Sequence, residues 1–320
     1  MALTTYNVSG KVYASDGSTA FPDVEVIVRN TTTNSEISDT TDSNGDYSVD
    51  LADLSGGYDN GDSLEITANL GSFYNQETAT VNTGVGSTTQ NLTLATGNKY
   101  EIIDLMLIKT ELIEFLRNNI TDPNSRLTSQ TDTFSPNGST VKFTLTKSTG
   151  KNIRYVAIDG TIKARYTDYY VEYKDSDSTS NPVIYFLTPP GDSTTLEVKY
   201  DYGTSAMIYG DVPQVETQLA DYPRISIDVT TGTSREYGLN AESNVSDLMV
   251  STTVWSEKIP QVEDLVSGIK KQIAKNKKNF YFFNLIVPLS LSPLIDSPER
   301  SNRMVQRTQD FQIKWRLENV

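Results

Sequence analysis

The sequence predicts an α+β protein: an N-terminal β-sandwich, an inserted small β domain, and a C-terminal α/β domain in which a sheet packs on two helices. Three observations predict it. Short alternating runs fill residues 7–95 and 127–204, helical periodicity appears only near residues 100–119 and 260–278, and charge changes sign along the chain. Residues 1–97 carry two basic residues, Lys11 and Arg29, against 13 acidic ones, a net −11, whereas residues 257–320 carry 11 basic and seven acidic, a net +4. At 320 residues the chain exceeds the roughly 250–300 at which one core stops growing. Three domains follow: 1–97, 127–204, and 98–126 combined with 205–320.

Taken in order, VSGKVYA, VEVIVRN, GDYSVDL, SLEITANL, ETATVNT and TQNLTL read as strands broken by Gly, Asn and Asp turns, with Asn44-Gly45 the strongest hairpin signal. ATGNK is a polar hinge, so residues 1–97 are expected to fold as an autonomous appendage. Residues 100–119 take helical spacing, with Ile102, Ile103, Met106, Ile113 and Leu116 near one stripe and Pro123 just past the end. Leu105, Leu107, Ile108 and Leu112 widen that stripe, which means that more than one face meets protein, either core or a neighbouring subunit.

Residues 127–204 return to strands (TVKFTLT, RYVAIDG, DYYVEYK, PVIYFLTPP, TLEVKYDYG) and concentrate tyrosine: Tyr155, Tyr166, Tyr169, Tyr170, Tyr173, Tyr185, Tyr200 and Tyr202. Tyrosine suits half-buried small sheets and equally a binding face, since it offers area at low entropic cost. DLMVSTTVWS alternates as a strand, and Pro260 opens an amphipathic helix through Val262, Leu265, Val266, Ile269 and Ile273. The five lysines at its end suit the macrodipole. FYFFNLIVPLSL is an apolar strand, residues 292–307 are a Pro-broken polar loop, and QRTQDFQIKWRLE alternates Phe311, Ile313, Trp315 and Leu317 inward.

The chain has no cysteine and no histidine, which removes disulfides, thiolate metal sites, histidine bases and the usual triads. No Gly-rich phosphate loop and no G-x-S-x-G occurs, and nothing in the spacing of 41 acidic residues selects a glycosidase pair. A non-enzyme without cofactor is expected. Asp42, Asn44 and Asp46 have the odd spacing of a calcium loop with Asp53 at its end, but Tyr47 stands where such a loop needs Gly; the other reading is a hairpin turn. In the loop, Arg300, Arg303 and Arg307 are the candidate interaction residues, facing an acidic partner surface or else solvent. MALTTYNVSG has no secretory character and the run 280–291 is too short to span a bilayer, so a soluble protein made in a cytoplasm is expected.

The string V-S-G-K-V-Y-A-S-D-G-S-T-A-F-P-D-V-E-V-I-V with T-D-S-N-G-D-Y-S-V-D-L resembles the carboxypeptidase-regulatory-like (transthyretin-like) module, an Ig-like β-sandwich that serves as appendage or adhesin. The run F-T-L, I-D-G, D-Y-Y-V, V-I-Y-F-L-T-P-P and L-E-V-K-Y-D-Y is similar to β modules inserted in phage structural proteins. With residues 127–204 set aside, the order of helix, strand at Pro223, Arg224, Ile225 and Ile227, strand ending at Val254, Trp255 and Ser256, helix 262–273, and last strand 311–317 resembles the tail terminator (tail completion) proteins of long-tailed phages.

That resemblance implies a viral structural protein that forms a homo-oligomeric, usually hexameric, ring at the tail-neck junction of the virion. The ring would end polymerisation of the tail tube and support head-tail joining. Its partners would be the tail tube protein, a sheath where there is one, and a head-completion or stopper protein of the neck, with DNA passing through unread and no membrane. Another neck, connector or baseplate protein is the rival reading. A carbohydrate-binding adhesin is the rival of a different class.

Overall fold

A computed structural model describes residues 5–96, 105–173, 181–210, 222–237, 243–282, 285–297 and 304–318. Among them the protein is mostly β-sheet with two helices, a β-rich α+β fold. It divides into two compact units. One comprises Met1–Gly97, Thr131–Ser148 and Tyr155–Lys199; the other comprises Asn98–Gln130, Thr149–Arg154 and Tyr200–Val320.

The first unit begins with β1 (Asn7–Tyr13), β2 (Glu25–Asn30), β3 (Ser35–Thr40), β4 (Asp46–Asp50), β5 (Ser63–Leu70), β6 (Phe73–Thr80), β7 (Ser87–Thr89), β8 (Leu92–Thr93) and β9 (Ala95–Thr96). Two sheets result, one ordered β4-β1-β7 with β8 also on β1, the other β3-β2-β5-β6-β9. Alternation decides the faces: Val26 and Val28 on β2 and Leu64, Ile66 and Ala68 on β5 are buried, while Glu25 and Arg29 point outward. Asn44-Gly45 forms a turn, with Gly45 at φ 75°, where only glycine is unstrained, but not the expected hairpin, because β3 pairs with β2 and β4 with β1 and the chain crosses here from one sheet to the other. Gly10 has a different reason. A Cβ there would lie 1.8 Å from the Gln90 carbonyl oxygen, because β1 passes directly against that backbone.

The inserted segment adds α1 (Leu105–Asn119) ahead of it, then β10 (Thr128–Phe134), β11 (Lys142–Thr144), β12 (Gly150–Ile158), β13 (Thr161–Ile162), β14 (Tyr169–Glu172), β15 (Val183–Phe186) and β16 (Leu196–Tyr202). Strands order as β10-β16-β12-β13 and β11-β15-β14. Val141, Val183, Tyr185 and Leu187 belong to the same hydrophobic core as Phe21, Leu64 and Phe73 of the N-terminal strands. The first unit is therefore one core drawn from two separated stretches of sequence. Tyr185 stacks on Phe21 with centroids 6.2 Å apart, and the Ser15 N–H donates to the Leu187 carbonyl at 3.1 Å.

In the second unit β17 (Ile208–Tyr209), β18 (Arg224–Tyr237), β19 (Ser243–Ser256), β20 (Leu285–Leu291), β21 (Ile295–Ser297) and β22 (Met304–Glu318) form a six-stranded sheet ordered β17-β18-β19-β22-β20, with β21 also on β22. All pairs are antiparallel except β17 with β18. The row Val229, Val250, Phe311, Pro288 and the row Ile227, Thr252, Gln309 fall on one face. Onto that sheet pack α1 and α2 (Ile259–Lys275), α2 through buried Val262, Val266, Ile269 and Ile273, α1 through Ile108, Leu112 and Leu116. Pro260 stands in the first turn of α2, as the sequence predicts.

The last strand starts at Met304, earlier than its hydrophobic alternation suggests. It is flanked by β19 on one side and by β20 and β21 on the other, and paired backbone carries it through polar residues up to Ser256↔Val305. Phe311 is fully buried, whereas the side chain of Trp315 lies outside the described residues.

Candidate functional site

The Asp42, Asn44, Asp46 cluster sits at the β3–β4 connection. Asp42 Oδ1 accepts the backbone N–H of Asn44 at 2.7 Å and of Asp46 at 3.0 Å, and these hydrogen bonds, that from Asp46 first, hold its carboxyl below the usual carboxylate range. Asp46 instead takes the Lys11 ammonium at 2.8 Å. The carboxylates are thus spent on a turn and an ion pair, and Asp53 lies in a separate helical turn capped by Asp50. Among the described residues no group of three or more His, Cys, Asp or Glu stands ready for a metal.

Of the three candidate interaction arginines, Arg300 and Arg303 lie outside the described residues. Arg307 is not in a loop. It stands on β22, where its guanidinium pairs with both carboxylate oxygens of Glu263 on α2 and its Nε donates to the Ser292 carbonyl at 3.1 Å. A strand position opposite the helix turns this arginine inward to its own unit, so it is not offered to a partner as the loop reading expected.

Tyrosines of the inserted segment separate by depth. Tyr166, Tyr169, Tyr185 and Tyr200 are buried, while Tyr155, Tyr170, Tyr173 and Tyr202 are half-buried. Around Tyr185 a polar group gathers that no spacing in the sequence signals: its hydroxyl donates to Asp23 at 2.9 Å and Glu172 at 3.3 Å, and Asp23 also takes the Lys142 ammonium at 2.5 Å. Burial, and then the hydrogen bond to Asp23, push the Tyr185 hydroxyl above its ordinary range. The Tyr185 hydroxyl and the Lys142 ammonium thus share the Asp23 carboxylate.

A cavity of about 270 Å³ opens in the second unit at the end of α1, lined by Arg117, Asn118, Thr121, Asp122, Arg154 and Met207. Arg117 donates to the carbonyls of Ile208 and Lys151, Arg154 pairs with Asp201 at 2.7 Å, and Asp122 accepts the backbone N–H of Asn124 at 3.0 Å and lies 3.6 Å from Arg126. Every charge there is answered by its own unit, which is how a helix end is anchored rather than how a reacting group is poised. Glu111 plays a comparable part on the other side of α1, accepting the backbone N–H of Tyr281 at 2.6 Å and so fixing the chain after α2.

The lysine group of α2, read from the sequence as a partner of the macrodipole, lies at the surface. Lys270, Lys271 and Lys275, with Lys277 and Lys278 in the following turn, are all exposed.

No protein-family model matches the chain. No curated protein matches it either. Among solved structures, BcpA, the major pilin subunit of Bacillus cereus, is similar over 78% of this chain at 10% identity with a TM-score of 0.21, and the chain spans 64% of that pilin's length. A likeness at that level fixes neither fold nor role. No described helix is long and apolar enough to cross a membrane.

Proposed function

We propose that this chain is a structural virion protein of a long-tailed phage: a ring subunit, six to a ring on the family pattern, that ends the tail tube at its head-proximal side and joins it to the neck. One observation carries the reading. In the second unit α1, then β18 opening at Pro223-Arg224-Ile225, β19 closing at Trp255-Ser256, the amphipathic α2 and the long β22 follow in that order and meet in a single sheet covered by both helices. This is the order that the resemblance to tail terminators implies. The N-terminal strands are then a carboxypeptidase-regulatory-like sandwich carried by the ring subunit, and the tyrosine-rich segment is an inserted β module.

The chemistry of the chain agrees with a role made of interfaces. Closing a ring takes heterologous contacts related by rotation, and such contacts use packed faces and complementary charge rather than poised side chains. Among the described residues the ion pairs Lys142–Asp23, Arg154–Asp201 and Arg307–Glu263 each lie within one unit. We infer that the subunit acts without catalysis, beside the tube protein and a head-completion or stopper protein, with DNA passing unread. Negative-stain microscopy and native mass measurement of the purified chain test this: closed rings of one subunit number support it, and a monomer in both measurements at assembly concentrations contradicts it.

A further inference from the structure

We propose that the lysine cluster at the end of α2 docks on the acidic N-terminal strands of a second copy of this chain. Between Leu265 and Ile295 the sequence contains no Asp or Glu, and within that span fall Lys270, Lys271, Lys275, Lys277 and Lys278. All five are exposed, and among the described residues none has an ion pair or a side-chain hydrogen bond. Lys271 and Lys275 follow at i and i+4, the spacing that stacks side chains along one helix face, away from the buried stripe of Val262, Val266, Ile269 and Ile273, and Lys277 and Lys278 continue the charge into the turn after the helix. The macrodipole acts within the last turn, so it does not account for a group of this size.

The complementary surface is on the same chain. Residues 1–97 hold 13 acidic residues against Lys11 and Arg29, and both cations are already used, Lys11 by Asp46 and Arg29 by Asn34. Glu25, Glu36, Asp53 and Glu77 are exposed and without a cation among the described residues. At physiological salt the screening length is about 8 Å, so local charge decides the encounter and the net charge of −14 on each copy does not forbid it. A lysine ammonium is a compact point charge that demands no planar partner, so separately placed carboxylates such as Glu25 and Glu36 on one face of the sheet and Glu77 on the other can each take one. A second copy brings that surface in equal number with every patch, which favours it over a nucleic acid.

The contact does not rest on the ring reading. It requires only that copies meet head to tail.

Sedimentation velocity on the full chain tests it, comparing wild type, K271E/K275E/K278E and E25K/E36K/E77K at low and high salt. Wild type is expected to associate at low salt and to lose at least about tenfold in affinity at high salt. Each triple variant alone is expected to lose association by a similar factor with its thermal melt unchanged, and an equimolar mixture of the two to regain it. A wild type that stays monomeric at low salt, a lysine variant that associates like wild type, or a mixture that fails to recover each overturns the proposal. So does a result in which the lysine variant loses binding to a duplex DNA probe while self-association is untouched. Association without rings in micrographs sinks the ring reading alone; rings formed equally by the lysine variant sink this contact alone.

Discussion

Replacing Tyr185 by alanine probes whether the N-terminal strands and the inserted segment share one cooperative core. The side chain is fully buried, stacked on Phe21 at 6.2 Å, and it belongs to the cluster that contains Leu64 and Phe73. Large aromatic-to-alanine changes in such sites cost about 3–5 kcal/mol, and the hydroxyl adds to that by leaving Asp23 with one donor fewer. Tyr185→Phe isolates the second part. Because the Asp23 side chain is 41% exposed, water replaces much of the lost bond, and about 0.5–1.5 kcal/mol is expected.

Both tryptophans, Trp255 and Trp315, lie in the other unit, so their fluorescence would miss the event. Urea unfolding followed by circular dichroism gives the magnitude, and hydrogen exchange of β2 and β5 locates it. One shared core predicts that both strands exchange faster by the same free energy as the unfolding loss. Unchanged protection in β2 and β5, or a loss under about 1 kcal/mol, would refute the reasoning and return residues 1–97 to the status of an autonomous appendage. A chain beginning at Asn98 puts the same question more bluntly, since it uncovers Val141, Val183, Tyr185 and Leu187 together.

Other expectations follow from single contacts. Gly10→Ala should destabilise the first unit by about 3 kcal/mol in thermal melts, since the new methyl meets the Gln90 carbonyl and β1 has no room to move. Glu263→Gln should cost only about 0–1 kcal/mol, because the Glu263 side chain is 43% exposed; a loss above about 2 would mean that the Arg307 pair is sealed from water. Desolvation raises the Asp62 carboxyl, but donation from the Asp59 N–H, Asn30 and Thr32 outweighs it and leaves its pKa below the usual range. A depressed folded value stabilises above the unfolded pKa and is lost as pH falls through it, so the gap in melting temperature between wild type and Asp62→Asn should be constant above about pH 5 and close below about pH 4.

How much of this was legible depended on the distance over which each cause acts. The Asn44-Gly45 turn, the Pro260 helix start and the alternation of Leu248, Val250 and Val254 are local, and the sequence displays them directly. Arg307 was not legible. Its neighbours in sequence are polar and Pro-broken, while its place is set by hydrogen bonding to β19 across more than 50 residues and by a helix carboxylate at Glu263. The joining of Tyr185 to Phe21 across 164 positions is likewise a matter of tertiary packing, which no periodicity carries. The lysines of α2 were visible as charge but not as an unpaired surface, since pairing is known only when the neighbours are in place.

The central claim, a subunit that closes on the end of a tail tube, is tested most directly by adding the purified chain to growing tubes of the tail tube protein from the same virus and imaging the ends. The account predicts ring density at one end only of each tube and a halt in elongation once it is present. Tubes that grow to the same length with bare ends, in a preparation where the chain is folded by circular dichroism, would contradict it.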